Sequence, residues 1–382
     1  MAARATGCRL TVVETLRGSQ RSRVVRAAVD GGPGTVIVKA HEPGFADQWM
    51  RESAALTVLR GRGLPVPDLI AAVDDPPLVV LKDAGDGPSL ADALLGADAT
   101  TATERLYAWA DALATLHAAT TGDGSRFAAA LGGDVRAVDS TPGLLADAAD
   151  WLSARLPALG VTPGAEALTE LRSATAALGP DADALTPADA CPDNNVATPA
   201  GLVLLDFEQA TMRHVAWDAA YLLVPWPSCW CSWGIPADVA GVALARWRAA
   251  VAPTVPVVGT AAFDRDLDVA VAAWAFLSSA WFLAGAVDEE REAPGGEVRG
   301  PTRRAVIRHR MRLAARRRAV LPALADLAEE ILAATAQRWG DLRLRTAPAY
   351  RGRLPVGDGD AAGSQGPGGR GRHRRWRPYA AR

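Results

Sequence analysis

Residues 185–209 read LTPADACPDNNVATPAGLVLLDFEQ. Asp189 is followed five positions later by Asn194, and an apolar run from Leu202 to Leu205 ends on Asp206. A polar loop, a short apolar strand and an acid at its exit suit metal-dependent phosphoryl transfer. That chemistry needs a carboxylate beside the attacking hydroxyl, and a second carboxylate with an amide oxygen to hold Mg2+ on the nucleotide phosphates.

The pattern Asp189-x4-Asn194, followed by an apolar run and Leu205-Asp206-Phe207-Glu208, resembles the H-G-D-x-x-x-x-N and I-D-[FW]-[EG] motifs of the aminoglycoside phosphotransferase and small-molecule kinase family. The resemblance implies an α+β, bilobal, protein-kinase-like fold: a small antiparallel β-sheet N-lobe with one main helix, and a larger, mostly helical C-lobe. It further implies Asp189 as the catalytic residue, Asn194 and Asp206 as Mg2+ ligands, ATP or GTP as the phosphate donor and a small hydroxylated molecule as the acceptor. Pro187-Ala188 stands where the family has His-Gly. Proline offers no donor, so the loop loses a ring that normally braces it. Glu208 in place of Gly is usual in the small-molecule branch, and the chain has neither an A-P-E segment nor a full G-x-G-x-x-G loop. Both features weigh against a protein kinase.

Working outward toward the N-terminus, LTVVETL, VVRAAV and TVIVK between Leu10 and Lys39 alternate and are β-branched, with Gly-rich breaks between them. This predicts an antiparallel meander. In a kinase-like lobe its first turn, Arg17-Gly18-Ser19-Gln20, lies over the nucleotide phosphates, which makes Gly18 and Ser19 nucleotide-binding candidates. Lys39 ends the third run, and Glu52 lies in a helical segment that closes on Gly61 and Gly63. A lysine held on the α- and β-phosphates by a helix glutamate is the kinase arrangement, and Lys39 with Glu52 fits it. PLVVLK, residues 77–82, is a further strand, and DAGDGP after it is the expected hinge. The expected division is an N-lobe over residues 1–83, a helical C-lobe over 84–345 and a disordered basic tail over 346–382.

Beyond the hinge the sequence turns helical, with a short helix from Ser89 and an amphipathic one over Thr103–Ala119. His117, on its apolar face, is expected to be structural. Trp217-Asp218-Ala219-Ala220 resembles the family's W-D-L-A, in which the Asp braces the catalytic loop. VPWPSCWCSWGIP, residues 224–236, is expected to pack over the helical lobe, and Trp226, Trp230 and Trp233 are candidates for part of an acceptor pocket. Val269–Val287 carries no charge, yet it is rich in Ala and flanked by acids, so it reads as a buried helix and not a membrane span. Arg303 to Arg318 forms a basic helix, expected to be a solvated face. Asp264, Asp266, Asp268, Asp288, Glu289 and Glu290 are the acids available to a cationic acceptor.

The 382 residues allow two sizeable cores. A net charge of -2 argues against a whole-chain nucleic-acid binder, and no specific nucleic-acid partner is expected. Four cysteines and no leader-like N-terminus suggest a cytoplasmic, reduced protein, and Cys229-x-Cys231 has no second pair to make a zinc site. Two functional classes follow. One is a phosphotransferase acting on a small hydroxylated molecule; the other is a non-catalytic kinase-like protein that binds nucleotide or a partner. Retention of Lys39, Glu52, Asp189, Asn194 and Asp206 together, in the kinase order, favours the first.

Overall fold

The computed structural model describes residues 1–16, 18–32, 34–133, 139–288 and 300–352. Arg17 of the first turn, Glu289, Glu290 and all but the start of the C-terminal tail lie outside the described residues.

The chain opens with a short helix, α1 (Ala2–Thr6), and then builds the expected meander from β1 (Leu10–Thr15), β2 (Ser22–Val29) and β3 (Thr35–His41). The main helix α2 (Ala46–Leu59) follows, then β4 (Leu69–Val73) and β5 (Leu78–Lys82). All five strands form one antiparallel sheet in the order β1-β2-β3-β5-β4. The strand LIAAV of β4 was not expected, because two of its five residues are alanines with weak strand preference. It enters the sheet by pairing with the wholly apolar run of β5.

Strand periodicity explains how β5 serves two sides of this sheet. Val79 and Leu81 face α2 and join the main core, whereas Leu78 and Val80 point the other way and pack with Ala27 and Val36. The strand between β3 and β4 is therefore buried on both faces. On β3, Lys39 and His41 share a face two residues apart, and both side chains are buried.

The larger part of the molecule is helical. It begins with α3 (Leu90–Leu95), α4 (Ala99–Thr120), α5 (Gly124–Leu131), α6 (Thr141–Arg155) and α7 (Ala165–Arg172). Ser89 starts α3 with a capping box to Asp92, and Asp98 caps α4 by accepting from the Thr100 and Thr101 amides, each at 3.1 Å. Four short strands come next: β6 (Asp183–Thr186), β7 (Asn195–Thr198), β8 (Gly201–Leu204) and β9 (Thr211–His214). They form two hairpin-like pairs, β6 with β9 and β7 with β8. Helices α8 (Ala216–Ala219), α9 (Ala237–Val251), α10 (Ala261–Asp288), α11 (Arg303–Ala315) and α12 (Pro322–Trp339) follow, and the described chain ends in a 3-10 turn at Pro348–Tyr350 whose Tyr350 is buried in the core. A small antiparallel sheet with one main helix, followed by a larger helical part, is the expected α+β, bilobal, protein-kinase-like arrangement.

Helix α10 is long and apolar enough to cross a membrane by length and composition, yet its most apolar window is 83% buried within the protein. Its Trp274 donates its indole N–H to the Trp217 carbonyl at 2.8 Å, so even its polar atom is satisfied inside the fold.

Helix α11 corrects one expectation. Arg308 and Arg310 are buried, at 4% and 1% exposure, so the basic run is not simply a solvated face. Arg308 donates to the Leu332 carbonyl at 2.9 Å and to Thr335 at 2.7 Å, and Arg310 lies over the Phe282 ring. Burial without an acidic neighbour pulls the Arg310 guanidinium down to about 9.

Where the sheet meets the helices, Asp83 ties down the segment expected to be the hinge. It accepts from Arg26 Nε and Thr35 Oγ1, both at 2.6 Å, and from the Gly85 amide at 2.8 Å. Burial works against its charge, but Arg26 and Thr35 outweigh it and hold the carboxyl below its ordinary range. Gly87 then passes so close to β7 that a Cβ would sit 1.9 Å from the Ala197 carbonyl oxygen. Only glycine allows the segment to lie there and to set the Pro88 carbonyl against the Ala197 amide.

Candidate active site

Two loops and one strand of the sheet converge. The first loop joins β6 to β7 and carries Asp189 and Asn194; the second follows β8 and carries Asp206 and Glu208. They are tied together through the backbone, since the Leu205 amide donates to the Asn194 carbonyl at 2.8 Å. Local geometry is unusual at two points. Asp206 has φ 66° and Ala188 has φ 57°, both in the left-handed region that costs an L-residue energy. At Ala188 this explains the glycine of the family motif, which adopts such a backbone without penalty.

Lys39 reaches these loops from β3. Its Nζ lies 2.7 Å from Asp206 Oδ1, 2.9 Å from Glu52 Oε2 and 3.0 Å from Glu208 Oε2. Burial by itself would lower the Lys39 pKa, but Asp206, Glu52 and Glu208 raise it above its ordinary value, so the side chain is a cation. Glu52 Oε2 also receives His41 Nε2 at 2.9 Å, and Glu208 receives Arg21 at 2.9 Å. Burial, then the Asp206 charge, pushes the Glu208 carboxyl up despite Lys39 and Arg21.

The hairpin between β1 and β2 leads to Arg21. The Ser19 amide donates to the Ser22 carbonyl at 2.8 Å, and Ser19 Oγ accepts from the Arg21 and Ser22 amides at 3.1 and 3.2 Å. A Cβ at Gly18 would lie 2.7 Å from the Ser22 carbonyl oxygen, so the turn requires glycine there.

Asp189 is partly buried. Its Oδ1 accepts from Ser228 Oγ at 2.7 Å, and its backbone carbonyl accepts from Asn194 Nδ2 at 2.9 Å. Burial raises the Asp189 carboxyl to about 7, with Asp206, Asp193 and Glu208 adding to the rise and Ser228 opposing it. The amide nitrogen of Asn194 is committed to the Asp189 carbonyl, which leaves its Oδ1 as the atom with which it would take a ligand. That oxygen and the Asp206 carboxylate are the hard donors that Mg2+ takes, so the residues present fit this ion.

The loop's support comes from beneath. Arg213 makes a close ion pair with Asp218 and reaches the Ala188 carbonyl at 3.4 Å. Asp218 also accepts from His117 Nε2 at 3.2 Å, and His117 Nδ1 accepts from the Trp247 indole at 3.2 Å. With Nδ1 acting as acceptor, the His117 proton is on Nε2 and points at Asp218. Burial opposes the Asp218 charge, yet Arg213 and His117 hold its pKa below the ordinary value. Arg213 thus links Asp218 to the loop that carries Asp189, a contact that its distance along the sequence conceals.

The Trp-rich segment divides. Trp226 and Trp233 are fully buried, and only Trp230 keeps some exposure, with its indole N–H on Asp193 Oδ2 at 3.0 Å. An acceptor surface made of all three tryptophans is therefore ruled out. The expectation of reduced cysteines is also corrected: Cys191 and Cys229 form a disulfide with a Cα–Cα distance of 6.0 Å, while Cys8 and Cys231 are free thiols. Three of the acids considered for a cationic acceptor are already engaged: Asp264 with Arg248 at 2.7 Å, Asp268 with Arg317 at 3.1 Å, and Asp266 with the Gly179 amide at 3.0 Å.

Sequence reasoning did not single out Arg21, His41, Arg213, Tyr221 or Ser228 as site residues. His41 was within reach of it, because a strand residue two beyond Lys39 must share its face.

The sequence matches the phosphotransferase enzyme family over residues 12–252. No curated protein matches it. Among solved structures, it is similar to a macrolide 2'-phosphotransferase from Brachybacterium faecium at 18% identity and TM-score 0.48, covering 82% of this chain and 95% of that one. It is similar to a putative aminoglycoside phosphotransferase from Ralstonia eutropha at 16% identity and TM-score 0.48, covering 85% and 93%. An ethanolamine kinase from Plasmodium vivax follows at 9% identity and TM-score 0.45, covering 84% of each chain. The family match spans more than half of the 382 residues, and this protein belongs to the phosphotransferase enzyme family.

Proposed function

We propose that the protein transfers the γ-phosphate of ATP or GTP to a hydroxyl of a small molecule. The observation that carries this reading is Lys39 Nζ lying 2.7 Å from Asp206 and 2.9 Å from Glu52, which unites three expected site residues from three separate elements. In this reading Lys39, fixed by Glu52, positions the α- and β-phosphates, and the turn at Gly18 and Ser19 lies over them. Asn194 and Asp206 hold Mg2+, which, when bound, neutralises charge on the phosphates. Residues 1–83 form the nucleotide-binding lobe and 84–345 the lobe that carries the acceptor site.

Asp189 orients the acceptor hydroxyl and takes its proton. The acceptor oxygen bonds to the γ-phosphorus as the bond from that phosphorus to the β–γ bridging oxygen breaks, and the nucleoside diphosphate leaves. Raised to about 7, the Asp189 carboxyl sits near the pKa at which a base both stays ionised and accepts a proton readily. The rest of the rate comes from alignment and charge neutralisation.

The test is a panel of hydroxylated metabolites and antibiotics read by ADP release, with Asp189→Asn as control. Acceptor-dependent release by the wild type that the variant lacks is the expected result. Equal release by both proteins with every acceptor refutes the assignment. A protein that only binds nucleotide would bind Mg2+·ATP and release no ADP.

A further inference from the structure

The Asp189 carboxylate has a support that the phosphotransferase reading does not require. Ser228 Oγ lies 2.7 Å from Asp189 Oδ1, and the Tyr221 hydroxyl lies 2.8 Å from Ser228 Oγ. An ionised carboxylate can only accept, so the serine proton points at Asp189. Ser228 has no second proton, so the Tyr221 hydroxyl donates to Ser228. The direction of the chain is thereby determined: Tyr221 to Ser228 to Asp189. Tyr221 is fully buried, and burial followed by the Asp189 charge raises its pKa, so it stays a protonated donor throughout the neutral range.

Ser228 sits on a loop that is held on both sides of it. Arg310 Nη2 donates to the Pro227 carbonyl at 3.1 Å and to Ser232 Oγ at 3.2 Å. The residue after Ser228 is Cys229, bonded to Cys191, and Trp230 donates to Asp193, so two anchors join this loop to the one that carries Asp189. The buried arginine of α11 and the disulfide thus serve one end, which is to hold a hydroxyl against one oxygen of Asp189.

We propose that Ser228, backed by Tyr221, is a positioning residue that holds Asp189 Oδ1 and leaves Oδ2 to the acceptor hydroxyl. The proposal rests on the phosphotransferase reading and deepens it. A hydrogen bond to a charged group restricts the rotation of the carboxylate about its last bond, and a small misplacement of a reacting group is costly.

The probe is Mg2+·ATP alone, read as ADP release with water as acceptor. Ser228→Ala is expected to lower kcat by about tenfold and to leave the KM for ATP unchanged. Ser228→Thr, which keeps the hydroxyl, restores kcat, and Tyr221→Phe lowers it by a smaller factor. A wild-type kcat for Ser228→Ala, in a protein that Asp189→Asn silences, overturns the relay and leaves the phosphotransferase reading in place. A KM that rises while kcat holds also overturns it. Equal and measurable rates for wild type and Asp189→Asn overturn both.

Discussion

Replacing Lys39 with methionine tests the ion cluster most directly. The substitution keeps the length and apolar stem of the side chain and removes the charge that faces Asp206, Glu52 and Glu208 at 2.7, 2.9 and 3.0 Å. Removing one partner from a buried ion pair costs about 3–5 kcal/mol, because the remaining charge stays desolvated. Here Glu52 keeps His41 and Glu208 keeps Arg21, each at 2.9 Å, so the loss stays within that range even though one cation serves three acids. The pH dependence follows from the sign of the Glu208 shift. Its carboxyl is already raised in the folded protein, and losing Lys39, which lowers it, raises it further. A carboxyl whose folded pKa exceeds its unfolded value costs stability once ionised, and that cost is relieved as pH falls through the folded pKa. Lys39→Met should therefore be about 3–5 kcal/mol less stable than wild type at pH 8.5, with a smaller deficit at pH 5.5. Urea unfolding followed by tryptophan fluorescence, in buffer without metal or nucleotide, measures both values. A deficit below about 1 kcal/mol at pH 8.5, or one that grows on acidification, would refute the reasoning.

Three further outcomes are expected. Asp189→Asn removes a carboxyl raised from 3.8 to about 7; the shift corresponds to about 4 kcal/mol, discounted to about 2 kcal/mol for partial exposure, so without metal the variant gains that stability at pH 8 and none at pH 3. A matching advantage at both pH values would contradict the assigned shift. Ala188→Gly relieves φ 57° and should stabilise by about 0.5–1 kcal/mol in the same urea assay, whereas destabilisation would mean that the alanine methyl packs there. Cys229→Ser opens a crosslink spanning 38 residues and should cost about 2–4 kcal/mol, and a reducing agent should then change the unfolding midpoint of the wild type but not of the variant.

Much of the site was legible because phosphoryl transfer draws on few residue types at short spacings. Asp189, Asn194 and Asp206 lie within one stretch of 25 residues, and a loop, a hairpin and a strand end bring them together with little help from the rest of the chain. Lys39 and Glu52 were legible from a strand end followed by a helix, and the packing of α2 beside β3 makes them neighbours. Strand alternation likewise announced β1 to β3, and the apolar periodicity of Thr103–Ala119 announced α4. The strand β4 escaped because Leu-Ile-Ala-Ala-Val carries little intrinsic preference and becomes a strand only by pairing with β5.

Other features have no local signal. Arg213 from β9 and His117 from α4 meet at Asp218, and Trp247 from α9 holds His117, so the support beneath the Asp189 loop exists only once those elements pack. Arg310 sits in a run of arginines that reads as a solvated face, and its burial depends on α11 packing against α10 and the loop before Ser232. The sequence alone determined the residue types and order that phosphoryl transfer requires, since those are set by chemistry and short-range spacing. Only the tertiary structure decided which side chains hold them in place, because a contact between residues a hundred positions apart follows from how helices and strands bury their apolar faces.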